Sequence, residues 1–341
     1  MNINSFPQVK VNDDFASHIE DNLGGRFSNI SKKTNPKYLY DYEGSRLFEQ
    51  ICLQPEYYLT RVEIEILNNF STEIASLFKD FNQIAIIELG SGSSTKTRIL
   101  LQHFVNMRNT KQLYYFPVDL SNSILKEAIN KLPNEFPSIE ILAIHSDYIQ
   151  GIRLVEDVIL SKDIGATESF NKLVIFLGSS IGNFEPNEAS VFLRQIRSSI
   201  GNNASNKFLI GFDLHKDAEI LEAAYNDRKG ITAKFNLNIL ARINRELGGE
   251  FDLDTFYHSA FYNFMKGRVE MHLVSKIDQN IKINNLGKTV TFKKGESIHT
   301  ENSYKYSIDQ IRELAQNSGF KVEKNFTDKN DWFDLVLLSA I

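Results

Sequence analysis

Between Glu63 and Phe81, apolar residues recur at three- and four-residue intervals: Ile66, Phe70, Ile74, Leu77, Phe78 and Phe81. That spacing places them on one face and predicts a helix. The pattern then changes. Ile84–Leu89 (IAIIEL) is an unbroken apolar run ending at Gly90, the pattern of a parallel strand buried on both faces. Helix and strand alternate from there. Helices are predicted over Thr97–Phe104, Asn122–Leu132 and Asn187–Ile200, and strands over Tyr114–Val118, Ile139–Ile144, Lys172–Leu177 and Phe208–Asp213. Five strands separated by helices predict an α/β fold with a doubly wound parallel sheet.

The alternation breaks after Leu214. Residues 215–305 mix helical stretches with strand-like ones such as Val269–Val274 and Val290–Phe292, which predicts a second, smaller α+β domain. The chain then returns to α/β character. Ile308–Ala315 reads as a helix, and Val322–Phe326 and Phe333–Ile341 read as strands that rejoin the main sheet. The predicted organisation is one discontinuous domain, 63–214 plus 306–341, and a second domain built from 1–62 and 215–305. The stretch before Pro36 is polar, with Gly24-Gly25 as a turn signal. Pro36–Arg61 (PKYLYDYEGSRLFEQICLQPEYYLTR) is dense in aromatic and charged residues, and Tyr38, Tyr40, Tyr57 and Tyr58 sit there beside turn residues.

Composition narrows the classes. Of 341 residues, 42% are hydrophobic and 24% charged, ordinary for a globular enzyme. Net charge is −5 and no Lys/Arg-rich block occurs, which argues against a nucleic-acid partner. Cys52 is the only cysteine, so an intrachain disulfide and a cysteine-ligated metal cluster are both excluded. The N-terminal sequence lacks a basic region followed by an apolar one, and no apolar run approaches the ~20 residues that span a bilayer. A soluble, cytoplasmic protein with no membrane partner is expected.

Candidate chemistry gathers at strand ends. Glu88-Leu89-Gly90-Ser91-Gly92-Ser93-Ser94-Thr95-Lys96-Thr97 follows the first strand and opens a helix. Glycines there let the backbone approach a ligand, and the helix start offers free N–H groups. The dinucleotide pattern G-x-G-x-x-G fails, because Thr95 stands at the third glycine. A phosphate-binding P-loop fails on its first glycine. Glu88, just before the loop, suits a ligand that carries positive charge. Asp119 ends the second strand, where a carboxylate can accept both hydroxyls of a ribose. Asp147 ends the third, placed to meet an adenine amino group. Taken singly, each Asp also fits a helix cap or turn. Together they mark the carboxyl edge where open α/β sheets bind ligands. The fourth strand runs into Gly178-Ser179-Ser180-Ile181-Gly182-Asn183-Phe184, and the Asn183 amide offers both a donor and an acceptor.

These residues, with the segments YDYEGSRLFEQI, PEYYLTRVEIEIL, IELGSGSSTKT, FLGSSIGNF, AFYNFMKGRVEMHL and the stretch around HTENSYKY, resemble the histidine-specific N-α-methyltransferases of ergothioneine biosynthesis. Those enzymes make hercynine, the trimethylated betaine of histidine. The resemblance runs from about Lys37 to the C-terminus. It implies a class I fold dependent on S-adenosylmethionine (SAM), with a Rossmann-like sheet, SAM as methyl donor, no metal, free L-histidine as substrate and a monomeric enzyme. It assigns SAM contacts to Gly90, Lys96, Asp119, Asp147 and Tyr148, beside Gly92 of the glycine loop. Tyr40, Tyr57, Asn183 and Tyr225 match positions lining the amino-acid pocket, with Asn183 and Tyr225 holding the carboxylate and backbone. Met271, Glu301 and Ser303 match the part that reads the imidazole.

Elementary chemistry agrees with the last assignment. An imidazole has two nitrogens needing partners. Glu301 can accept an N–H, and Ser303 can donate or accept at the other nitrogen. An indole has a single N–H, so the sibling reading, methylation of another amino acid or a tryptophan derivative by the same broad family, gains less from that pair. A SAM- and amino-acid-binding protein without catalysis is the reading from a different class. Tyr40, Tyr57 and Asn183 are the candidate catalytic residues, with proton loss from the amine expected near the two tyrosines. Phe48 is a candidate wall for a methylated cation. Tyr148 stands where relatives carry Phe, and Asn226 where relatives can carry Asp. His215 receives no role.

Overall fold

The computed structural model of the chain describes residues 14–23, 31–107, 112–161, 170–201 and 203–341. The turn expected at Gly24-Gly25 and the N-terminal segment before residue 14 lie outside the described residues. The chain divides into two units: Leu59–His215 with Tyr306–Ile341, and residues 14–58 with Lys216–Lys305.

Six strands of the first unit arise in order: β1 (Gln83–Leu89), β2 (Gln112–Asp119), β3 (Ile139–Ile141), β4 (Ile144–His145), β5 (Asn171–Phe176) and β6 (Lys207–Asp213). Their pairings are parallel. In β1, Ala85, Ile87 and Leu89 join one hydrophobic cluster with Ile152, Phe192 and Ile196 from helices Tyr148–Ser161 and Pro186–Ile200. Ile84 and Ile86, which point the other way, are equally buried, so both faces of the sheet are covered. The single strand expected over Ile139–Ile144 is two, β3 and β4, each paired with β2. The break lies opposite Phe116 and Pro117, and Pro117 has no N–H to donate to the ladder. The helix expected from Glu63 begins at Tyr58 and ends at Ser76. Leu77 consequently falls in the following turn and is 45% exposed, while Phe78 is fully buried. The helix Tyr148–Ser161 had no counterpart in the expected series.

In the second unit, β7 (Phe256–Asn263), β8 (Arg268–Ser275) and β11 (Ser297–Tyr304) form an antiparallel sheet with β8 in the middle. Strands β9 (Gln279–Ile283) and β10 (Lys288–Phe292) make a separate hairpin. Helix Ile231–Leu247 packs beside helix Tyr42–Cys52, whose N-cap Asp41 accepts from Gly44 N at 2.8 Å.

The chain then returns to the first unit. Helix Ile308–Asn317 is followed by β12 (Phe320–Thr327) and β13 (Phe333–Ala340), which close the main sheet in the order β12-β13-β6-β5-β1-β2-β3. Strand β13 runs antiparallel between β6 and β12. A parallel core extended by one antiparallel hairpin is the Rossmann-like, class I methyltransferase arrangement expected from the sequence.

Candidate active site

Chemistry in the first unit sits at the carboxyl ends of β1, β2 and β5. After β1 the chain turns through Gly90 at φ +69° and Gly92 at φ +49°, a region that favours glycine. Gly90 N and Ser91 N both donate to Val118 O, which ties the loop to β2. Asp119 Oδ2 accepts from Gly92 N at 2.9 Å and Oδ1 from Ser121 N at 2.8 Å. Burial raises the Asp119 carboxyl above its ordinary value, although these backbone bonds oppose it. Each oxygen keeps a second lone pair, so a diol still has two acceptors. A Cβ at Gly90 would meet the Tyr148 hydroxyl at 3.3 Å, so the phenol ring packs against the glycine turn. Asp147 is exposed, and its Oδ1 caps the helix that follows by accepting from Gln150 N at 2.9 Å.

Glu88 departs from expectation. Its carboxylate is buried and accepts from Thr97 Oγ1 and Tyr115 OH. Burial pushes it up to about 7. It braces the start of the helix after the loop and is not open to a cationic ligand.

Lys96 is paired with Glu63, a carboxylate with no exposed side chain. Glu63 also accepts from Gly178 N, so one buried anion joins the helix preceding β1, the end of the glycine loop and the turn after β5. Ser179 follows at φ 54°, and its Oγ accepts from Asp213 N. Asn183 ends this turn, half-buried, and no hydrogen bond engages its amide among the described residues. Glu63 was absent from the sequence-derived site, because a Glu inside an amphipathic helix reads as solvent-facing.

The second unit gathers the aromatic candidates. Tyr40 lies 5.4 Å edge-on from Phe48, Phe48 lies 6.1 Å from Tyr57, and Tyr57 lies 6.2 Å from Tyr225. Burial, reinforced by nearby Tyr225, raises the Tyr57 hydroxyl well above its ordinary value. Tyr225 OH donates to Ser303 Oγ at 2.6 Å. Glu301 and Ser303 sit two apart on β11, so they share a face of the strand. Met271 of β8 is the cross-strand partner of Glu301. Glu301 is 8% exposed, and its Oε2 is buried with no hydrogen-bond partner among the described residues. Burial pushes this carboxyl up to about 7, against the pull of Lys305. Lys305 also lay outside the sequence-derived set. The alternation Glu301, Ser303, Lys305 was its signal, a polar stripe on one strand face.

A second polar group needs separating from this one. Glu270, His272 and His299 come together on β8 and β11, close enough to suggest metal ligation. The His272 and His299 rings stack with planes 11° apart. A shared ion must lie in the plane of both rings, and near-parallel planes offer no such nearby point. Arg268 donates to Glu270 and, with His272, holds its carboxyl at about 2 despite burial. The cluster reads as an ion pair flanked by stacked rings.

The family of histidine-specific, SAM-dependent methyltransferases matches residues 15–340. The chain belongs to that family. This methyltransferase is 38% identical over 309 residues to a histidine N-alpha-methyltransferase of Mycolicibacterium smegmatis, covering 90% of each chain. It is 35% identical to the Mycobacterium tuberculosis protein of that name, again over 90% of both. Ergothioneine biosynthesis protein 1 of Schizosaccharomyces pombe is 29% identical over 84% of this chain and 36% of that longer one. The enzyme class, the donor and the fold expected from the sequence are those of the family.

Proposed function

We propose that this methyltransferase transfers methyl groups from SAM to the α-amino nitrogen of free L-histidine, three times over, giving hercynine for an ergothioneine pathway. The observation that carries the substrate is Glu301 Oε2, a buried acceptor with no donor among the described residues, beside the Ser303 hydroxyl on the same strand face. An unmet buried acceptor costs about 1–3 kcal/mol, and a ring N–H relieves it. Met271 supplies an apolar contact opposite Glu301. In the first unit, Gly90, Gly92, Lys96, Asp119, Asp147 and Tyr148 are the proposed donor-binding residues. A glycine turn that lets the backbone come close, a diol-accepting carboxylate and an aromatic face fit a nucleoside.

SAM supplies a methyl group already activated on a sulfonium, so the displacement needs no metal. The chain's own work is alignment, which contributes up to roughly 7–11 kcal/mol in well-oriented reactions. The attacking amine must be neutral. Tyr57 stays protonated because burial raises its hydroxyl, so its role is to orient the amine lone pair and exclude water. The proton leaves to solvent. Tyr40 shares this role, and Asn183 and Tyr225 hold the α-carboxylate and backbone of the amino acid. The edges and faces of Tyr40, Phe48 and Tyr57 suit a nitrogen that gains bulk and fixed charge with each methyl. A free amino acid, not nucleic acid, is the partner, in keeping with the net charge of −5. No helix among the described residues is long and apolar enough to cross a membrane. A monomer acting in the cytoplasm completes the reading, to be checked by sedimentation and cell fractionation.

The test is turnover of SAM with a panel of free amino acids, followed by mass spectrometry. Histidine alone is expected to gain three methyl groups. Methylation of tryptophan in preference to histidine overturns the assignment of Met271, Glu301 and Ser303.

A further inference from the structure

Lys305 stands one residue beyond the end of β11 and is 2% exposed. Its ammonium donates to Ser303 Oγ at 2.7 Å and to Tyr225 OH at 3.3 Å. The Tyr225 hydroxyl passes its own proton to the same Ser303 oxygen at 2.6 Å. Ser303 Oγ thus accepts from two donors. A hydroxyl has two lone pairs and one proton, so both lone pairs are in use. The Ser303 proton is the one hydrogen-bonding function left, and no acceptor takes it among the described residues. Two residues earlier on the same face, Glu301 Oε2 is a buried acceptor with no donor among the described residues. The strand therefore presents one unmet donor and one unmet acceptor side by side.

We infer that Lys305 is a positioning residue for substrate choice: by filling a lone pair of Ser303 it commits that hydroxyl to donate, so that Ser303 and Glu301 together select a ring with one acceptor nitrogen and one N–H. This rests on the histidine reading above. Neutral imidazole is such a ring. An indole or pyrrole brings an N–H and no acceptor, and leaves the Ser303 proton unmet. An imidazolium brings two N–H donors and sets one against it. Without Lys305 the Ser303 oxygen regains a lone pair, and the hydroxyl can turn to accept. The lysine acts through Ser303 and Tyr225 and need not touch the substrate.

The experiment compares kcat/KM for L-histidine with that for the 2- and 3-pyrrolyl isosteres of L-alanine, which keep a ring N–H and replace the acceptor nitrogen by C–H. Purified full chain and SAM are used throughout. Wild type is expected to prefer histidine by about tenfold or more, since a site built for a hydrogen bond rejects a ring that lacks it. Lys305→Met keeps the length of the side chain and removes its donors. It is expected to bring the ratio close to one, mainly through a raised KM for histidine, with kcat little changed. Lys305→Gln, which still donates, is expected to recover most of the preference. Should Lys305→Met fail to fold, Tyr225→Phe removes the other donor to Ser303 and is expected to lose the same discrimination. A wild-type ratio in Lys305→Met, with histidine still methylated, overturns the role of Lys305 and leaves the histidine reading standing. A wild-type chain that turns over no histidine overturns that reading, and this inference with it.

Discussion

Replacing Glu301 by Gln exchanges a carboxyl that burial has pushed up to about 7 for a neutral amide of the same shape. In the unfolded chain this carboxyl titrates near its ordinary value of 4.5. A folded value above the unfolded one means that the native state holds the proton more tightly. The contribution to stability is complete below 4.5 and is lost as the pH rises through about 7. At about 1.4 kcal/mol per unit, the interval corresponds to about 3 kcal/mol of burial cost in the ionised wild type. Glu301→Gln removes that cost. The unliganded variant is therefore expected to melt a few degrees above wild type at pH ~8, with the gap closing as the pH falls toward ~5. The enzyme suffers in return. The substrate N–H loses a charged acceptor, an interaction of roughly 1.5–3 kcal/mol, so kcat/KM for histidine is expected to fall by about ten- to a hundredfold. Thermal unfolding across pH reads the first effect and steady-state turnover the second. A melting difference that is the same at every pH refutes the reasoning, because the carboxylate is then not desolvated as the structure places it.

Three further outcomes follow from the geometry. Asp119→Asn leaves one acceptor oxygen for the two backbone N–H groups of Gly92 and Ser121, and is expected to weaken SAM binding by about ten- to a hundredfold, read by calorimetry. Glu63→Gln breaks the buried pair with Lys96 and disturbs the bond from Gly178 N. It is expected to destabilise the fold by about 3 kcal/mol in chemical denaturation, and a loss below about 1 kcal/mol would deny Glu63 that role. Tyr40→Phe and Tyr57→Phe each remove a polar partner of the amine in a desolvated pocket, which favours its neutral form. The acid limb of the kcat profile is expected to move to lower pH while the plateau drops, and unchanged profiles in both variants deny these hydroxyls contact with the amine.

The strands of the main sheet were legible because burial on both faces writes continuous apolar runs such as Ile84–Ile87 and Leu173–Leu177. Their ends were legible too, since Gly90, Asp119 and Gly178 are residues that turns and ligands demand. What escaped was side-chain partnership. Glu88 stands where a ligand-facing acid is expected, but Thr97 and Tyr115 claim it, and those partners lie nine and 27 residues away. Glu63 is indistinguishable in sequence from the surface acids of any amphipathic helix until Gly178, 115 residues on, is seen donating to it. Lys305 was passed over for a like reason: a lysine is rarely buried, and the alternation Glu301, Ser303, Lys305 gains its meaning only once the ammonium is seen donating to Ser303 and Tyr225. Pro117 was visible in the sequence, and its effect on the pairing of β2 with β3 was not drawn from it.

The position of β13 bears on how the protein is made. It is the last strand of the sheet to leave the ribosome, yet its place is interior, between β6 and β12. Until Phe333–Ala340 emerges, β6 is a bare edge with the whole backbone of Lys207–Asp213 unpaired on that side. The second unit's residues, 216–305, are translated during that interval. The nascent chain thus carries an open, apolar strand edge through the synthesis of the larger part of the second unit, the stage at which edge-to-edge association threatens most. Slowing translation after residue 306 is expected to lower the soluble yield, and a trigger-type chaperone that covers Lys207–Asp213 to restore it.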